Sequence, residues 1–383
     1  GAIGYIAYEF AHHLEALAAP PDLDPQRPSL VFDLHDVVIA FDHRSQEAWL
    51  IASGLPERGM PAERRARERA DRVLEALKSQ PPALSPLRHG FDWRSNVFAA
   101  DYEAVIEKTR NYILAGDIFQ ANLTQRLLGA MPKGLSPFML YRRLRALSPA
   151  PFGAYLAAGS GVAIASASPE RFLKLTLGGH VSTRPIKGTR PRGRTPGEDA
   201  KLARDLFESE KDQAENLMIV DLLRNDLSRV CRLGSVEVKE LAELESFANV
   251  HHLVSEVRGT LFPNRGAVDL LRGTFPGGSI TGAPKIRAME IINELEPARR
   301  GPYCGAIAWI GFDGAMDSSI VIRTLVIKDT EVAAQAGGGI VADSDPGAEY
   351  EEAMDKAWAM LQSLDPGEMA PGEMAPGEMA PGE

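Results

Sequence analysis

Short stretches with the apolar alternation of strands recur at 118–128, 152–158, 162–167, 171–177, 236–241, 304–310 and 319–327, and helical patterns interrupt them only near 196–230 and 285–294. This grouping constrains the chain most. Strands that succeed one another without a helix between each pair cannot be joined by the long crossovers of a parallel sheet, so they must pair antiparallel. The expected class is α+β with largely antiparallel sheets. Earlier in the chain, 30–34 and 37–41 alternate and predict a hairpin or meander. Residues 61–80 shift to Arg, Glu and Ala with Leu74 and Leu77, the pattern of a charged surface helix, and a proline-rich linker follows at 81–86. Asp101 is placed to cap a helix that buries Tyr102, Val105, Ile106 and Ile113 and stops at Gly116.

With 44% hydrophobic residues over 383 positions, the chain can bury a large core as one big domain or two. Its organisation reads as an N-terminal part with the charged helix and linker over 1–90, a catalytic region over 91–364, and a disordered Pro-Gly-Glu-Met-Ala repeat tail over 365–383. A net charge of -10 and the lack of a basic patch interleaved with aromatics argue against a nucleic-acid partner. Only Cys231 and Cys304 are present, so disulfide stapling is not expected and a reducing cytoplasm fits. No apolar run approaches the roughly 18 residues that span a bilayer, and no secretory signal opens the chain, so no membrane association is expected.

The chemistry gathers in a few segments. Thr183 to Gly193 sets Lys187 among arginines on a backbone stiffened by Pro185 and Pro191. Neighbouring cations favour the neutral amine, and a neutral amine is a nucleophile, whereas the bland reading is a solvated basic turn. Glu170 follows Pro169 at the start of a strand, where a side chain can be held firmly. Glu349, Glu352 and Lys356 recur at helical spacing, and Glu215 lies on a helix that runs into Asp221. Solvated helix faces are the plain alternative. Gly337-Gly338-Gly339 lets backbone approach a ligand closely. Arg323 sits in an apolar stretch, where an unpaired charge is costly and an anion is the natural partner. Gly277 to Lys285 is glycine-rich but lacks the Lys-Ser or Lys-Thr of a phosphate loop, so it reads as a substrate loop leading into a helix near Pro284.

Taken in order, Ser166-Ala167-Ser168-Pro169-Glu170-Arg171-Phe172, the Lys187 segment, Asp221 to Leu227, Val250-His251-His252-Leu253-Val254-Ser255, Gly278 to Lys285, Ile322-Arg323-Thr324 and Gly337 to Ser344 resemble the chorismate-utilising enzymes. The resemblance runs from Gly1 to about Trp358 and is closest to aminodeoxychorismate synthase component I, a relative of anthranilate synthase component I. It implies two packed, largely antiparallel sheets flanked by helices. In that family a glycine- and tyrosine-rich strand like the one after Gly1 follows a substantial N-terminal segment, so the resemblance implies a truncated N-terminal part.

The resemblance also implies roles. Glu170 corresponds to the general acid that protonates the departing C4 hydroxyl of chorismate, and Lys187 to the amine that attacks C2, after which ammonia displaces it at C4. Anthranilate synthases usually carry alanine at that position. His252 takes a catalytic-site position of unassigned role, while Tyr303, Arg323, Gly338, Gly339, Lys356 and Thr189 fall in the substrate-binding set. Glu215 and Glu352 match carboxylates that bind Mg2+, with Glu349 beside them. Gln120 stands where relatives that add water to chorismate carry a lysine, which argues against hydration. The implied activity is amination of chorismate to 4-amino-4-deoxychorismate in the route to p-aminobenzoate and folate, with ammonia from a glutamine amidotransferase subunit. The alternatives are anthranilate synthesis and an inactive fragment that only binds an amidotransferase.

Overall fold

The computed structural model describes residues 1–18, 28–80, 87, 93–247 and 250–365; the 81–86 linker and the repeat expected from 366 onward lie outside the described residues. Two antiparallel sheets make the frame. The first has nine strands in the order Ile186–Pro191, Val250–Thr260, His180–Arg184, Arg171–Leu175, Met316–Ile320, Ala306–Ile310, Ala2–Ile6 and Leu30–Leu34, with Glu237–Ser246 also pairing on Val250–Thr260. The second has seven, in the order Gly282–Ala283, Gln120–Ala130, Glu331–Ile340, Thr324–Lys328, Val162–Ser168 and Phe152–Ala157, with Arg94–Ser95 pairing on Gln120–Ala130.

Tyr5 and Ile307 of the first sheet meet Ile164 of the second in an apolar layer that also takes in Val321, on the chain's crossing between them. The outer face of the first sheet packs Phe172, Leu173 and Val257 against Ile219, Leu223 and Leu270 from the helices Glu210–Ser228 and Ala267–Thr274. Leu127, Ala165 and Leu325 of the second sheet pack against Leu140, Leu144, Ala357 and Met360 from the helices Pro137–Leu147 and Pro346–Gln362. Tyr102 and Ile106 of the helix Ala99–Leu114 and Ile291 of the helix Lys285–Leu295 close a further cluster around Leu123. Among the described residues no helix is long and apolar enough to cross a membrane.

Several local expectations change. The two early strands do not pair with each other: Leu30–Leu34 pairs with Ala2–Ile6, and Val37–Asp42 pairs with Glu47–Ala52 in a separate hairpin. The helical stretch at 196–230 is two helices, Pro196–Phe207 and Glu210–Ser228, because the Ser209 side chain accepts from Asp212 N and starts a new N-terminus. Asp101 lies in the first turn of Ala99–Leu114 rather than at its cap, where its charge still suits the helix dipole. The stretch at 319–327 is two strands, one in each sheet.

Candidate active site

The chain changes sheets twice, side by side, and those crossings build the site. Val162–Ser168 belongs to the second sheet and Arg171–Leu175 to the first, so Pro169 and Glu170 form one crossing. Met316–Ile320 and Thr324–Lys328 form the other through Val321, Ile322 and Arg323. Ile320 N donates to Glu170 O at 3.1 Å and Ala167 N to Arg323 O at 3.1 Å. Ser168 Oγ donates to Ile320 O at 2.6 Å. Arg323 has φ of +52°, a left-handed conformation that costs a side-chain-bearing residue and persists because its neighbours are fixed. Two charged side chains thus stand on braced backbone in the seam between sheets.

Glu170 is 5% exposed, and burial pushes its carboxyl up to about 7, against the opposing pull of a hydrogen bond from Ser279 and of the Lys187 charge. Ser279 Oγ donates to Glu170 Oε1 at 2.6 Å. A carboxyl near neutrality is suited to give or take a proton at working pH.

Lys187 owes its aim to a β-bulge. His180–Arg184 and Ile186–Pro191 lie consecutively along Val250–Thr260, with Ile186 opposite Val254 and Lys187 opposite Leu253. The register then shifts, so that Thr189 faces His252. Gly188, with φ of +81°, carries the shift, and a Cβ there would lie 2.9 Å from Leu206 Cδ1 and 3.1 Å from Asp212 Cβ. A bulge turns the neighbouring side chain away from the regular pleat. Lys187 Nζ comes up against Gly339, where a Cβ would sit 3.2 Å from it and 1.8 Å from Gln120 Nε2.

The flanking arginines do not crowd Lys187 with uncompensated positive charge, as the sequence suggests. Arg184 pairs with Glu240 and Glu245, Arg190 with Asp212, and Arg192 with Asp199. The groups whose fields meet that of Lys187 are the carboxylates Glu170, Glu215 and Glu352. Lys187 Nζ nevertheless makes no ion pair or hydrogen bond among the described residues, and neither does the Arg323 guanidinium. Both cationic donors are thus left for the anionic groups of a ligand.

Glu215 comes from the helix Glu210–Ser228, and Glu349 and Glu352 from Pro346–Gln362. Burial raises the carboxyls of Glu215 and Glu349, opposed by Lys187 and Lys211 for the first and by the Ser344 hydrogen bond for the second. Lys356 Nζ lies 2.6 Å from Glu352 Oε1 and donates to Gly337 O at 3.0 Å. Lys211 Nζ stands 4.0 Å from Glu349 Oε1. Gly338 clears space for this group, since a Cβ there would be 2.8 Å from Glu349 Oε2. Among the described residues, no three His, Cys, Asp or Glu side chains are gathered tightly enough to hold a metal ion. The donor chemistry, carboxylate oxygens from two facing helices, fits a hard divalent cation.

His252 is 8% exposed, its Nδ1 lies 2.9 Å from Thr189 Oγ1, and burial together with the Arg323 charge pushes it down to about 4. It is a neutral imidazole. Tyr303 is buried, and burial holds its phenol well above the usual range; the Arg323 guanidinium lies in its field. The expected residues therefore converge on one cleft from both sheets and two helices.

Ser279 and Arg300 escaped the sequence reading, and Gln120 entered it only as the residue in place of a lysine. Ser279 sits in the glycine-rich loop as the hydrogen-bond donor to Glu170. Gln120 is 1% exposed and its Oε1 has no partner among the described residues. Arg300, 2% exposed, binds the carboxylate of Glu296 at 2.7 Å and donates to Ile280 O at 2.8 Å and to Asn122 O, so it fixes the segments carrying Ser279 and Gln120. In sequence, Glu296 and Arg300 look like an ordinary surface pair at helical spacing. Lys285, by contrast, is structural: its ammonium is spent on Asp226 Oδ2 at 2.5 Å and on Thr274 O and Pro276 O, each at 2.9 Å.

Comparison with known proteins covers nearly the whole chain. A family described as chorismate binding enzymes matches residues 1–362. Anthranilate synthase component 1 of Streptomyces coelicolor is 43% identical over 379 residues, covering 97% of this chain and 74% of that protein. Aminodeoxychorismate synthase component 1 of Klebsiella aerogenes is 43% identical over 365 residues, covering 95% of this chain and 77% of that protein. The crystal structure of anthranilate synthase component I from Streptococcus pneumoniae superposes with a TM-score of 0.84 at 36% identity, covering 94% of this chain and 80% of that one.

Proposed function

Since this chain belongs to the family of chorismate binding enzymes, we propose that it aminates chorismate at C4 to give 4-amino-4-deoxychorismate. At the coarser level it is a chorismate-utilising enzyme of the aminodeoxychorismate synthase and anthranilate synthase component I type. Relatives of both names are equally similar at 43%, so overall identity does not choose between them. The observation that carries the finer reading is Lys187: an amine without a hydrogen-bond or ion-pair partner among the described residues, aimed by a bulge and electrostatically coupled to the buried acid Glu170.

Chorismate is a dicarboxylate, and the cleft offers Arg323, Tyr303, Lys356, Thr189 and the backbone at Gly338 and Gly339 to hold its anionic groups. In the proposed chemistry Lys187 passes its proton to Glu170. That single transfer yields the neutral amine and the protonated carboxyl that the next step needs. The amine attacks C2, both ring double bonds shift by one position, and the C4 hydroxyl leaves as water with the proton from Glu170. Ammonia then attacks C4, both double bonds shift back, and Lys187 is released from C2. Glu215 and Glu352, supported by Glu349, would hold Mg2+, which supplies positive charge for the ring carboxylate. His252, neutral and hydrogen-bonded to Thr189, orients that hydroxyl.

Ammonia is assigned to a separate glutamine amidotransferase subunit, because neither Cys231 nor Cys304 is placed as a glutaminase nucleophile. Both are buried, and burial pushes their thiols up to about 11 and about 12. The test is incubation with chorismate, Mg2+ and an ammonium salt, followed by identification of the product by mass. The expected product is 4-amino-4-deoxychorismate; anthranilate as the main product overturns the C4 reading. Glutamine should replace ammonium only when the amidotransferase is added.

A further inference from the structure

We propose that Lys211 is a built-in counter-cation of the metal site: its ammonium group occupies the charge position of the divalent ion between two helices and withdraws when that ion binds. The proposal rests on the assignment of Glu215, Glu349 and Glu352 as metal ligands. Among the described residues, the contact of Lys211 Nζ with Glu349 Oε1 at 4.0 Å is the one ion pair that joins the helices Glu210–Ser228 and Pro346–Gln362. The field of Lys211 reaches all three carboxylates. Its one close contact is with Glu349, and Glu215 and Glu352 lie within its field.

The other two ammonium groups near these carboxylates have different employment. Lys356 is pinned by Glu352 and by Gly337 O, and Lys187 faces Gly339 on the substrate side. Lys211 is attracted without being locked, because 4.0 Å exceeds hydrogen-bond reach and its side chain is 49% exposed. Its partner is fixed: Glu349 is 6% exposed on its side chain and accepts from Ser344 Oγ at 2.7 Å. The neighbouring Asp212 is engaged by Arg190 and does not compete for Lys211. A dication entering this space meets an ammonium a few ångströms away, and the repulsion is relieved when the flexible lysine swings into solvent.

Removing the charge should tighten the ion's binding, on the order of tenfold for one ammonium at this range. The experiment titrates Mg2+ calorimetrically into the substrate-free full chain as wild type, Lys211→Met and Lys211→Arg. The Met variant should bind about tenfold or more tightly than wild type, and the Arg variant should stay close to wild type. Thermal melts add a second readout. Without Mg2+ the Met variant should melt below wild type, and saturating Mg2+ should close the gap. If wild type binds Mg2+ and the Met variant binds no more tightly, or melts lower by the same amount with and without the ion, the role of Lys211 is refuted while the metal assignment stands. If no form binds Mg2+, the metal assignment fails and the proposal falls with it.

Discussion

Replacing Ser279 by alanine isolates the acid function of Glu170. Burial already pushes that carboxyl up to about 7 while the Ser279 hydroxyl, donating at 2.6 Å, pulls it down by stabilising the ionised form. Hydrogen bonds to charged groups contribute about 1.5–3 kcal/mol, which at 1.36 kcal/mol per unit is a rise of about 1–2 pH units when the donor is lost. In the proposed chemistry Glu170 takes its proton from Lys187, so kcat/KM falls on the acid side as Glu170 becomes protonated in the free enzyme, and Ser279→Ala should move that acid limb to higher pH by this amount. Stability follows the same sign. The native state keeps the proton that the unfolded chain gives up near pH 4.3, so stability falls as pH rises from there to about 7, and in the variant the fall continues higher. The assay is kcat/KM for chorismate across pH with saturating ammonium, with urea melts in parallel. An acid limb that stays in place or moves down refutes the reasoning.

Gly339→Ala sets a methyl 1.8 Å from Gln120 Nε2 and 3.2 Å from Lys187 Nζ; it should raise KM for chorismate by about tenfold or more and leave the fold intact by circular dichroism. Gly337→Ala instead drives its Cβ to 1.8 Å from Leu123 O in the middle of the second sheet, and soluble folded protein should be lost. Arg300→Met leaves Glu296 buried without its cation, at a cost of about 3–5 kcal/mol in urea unfolding; a loss below about 1 kcal/mol shows the pair to be expendable. Because His252 is pushed down to about 4 by burial, His252→Asn should lower the rate without moving either limb of the profile between pH 5 and 9, and a shifted acid limb contradicts its neutral role.

The strands and their antiparallel pairing were legible because alternation is a local signal, but the crossings between sheets were not. At 319–327 a largely apolar run conceals a switch at Val321 to Arg323, and the left-handed φ of Arg323 has no signature in an arginine. The early hairpin failed because Ala2–Ile6 offered Leu30–Leu34 a partner inside the nine-stranded sheet, a non-local choice. Glu170 and Lys187 were visible through their motifs. The physical reason offered for Lys187 was not sound, since spacing shows how many arginines are near but not that each is held by a carboxylate from a distant strand or helix. Ser279 and Arg300 were missed for one reason: their partners, Glu170 and the carbonyls of Ile280 and Asn122, become neighbours only through tertiary packing.

The central claim is that Lys187 forms a covalent bond to the substrate. The measurement is mass spectrometry of enzyme quenched during turnover of chorismate with Mg2+ and without ammonia, when the adduct has no nucleophile to release it. The account predicts a chorismate-derived mass, less one water, on the peptide containing Lys187, and no such mass in Lys187→Ala or in Lys187→Arg, whose guanidinium stays protonated. An unmodified Lys187 peptide, together with undiminished 4-amino-4-deoxychorismate synthesis by Lys187→Ala when ammonia is restored, would contradict it.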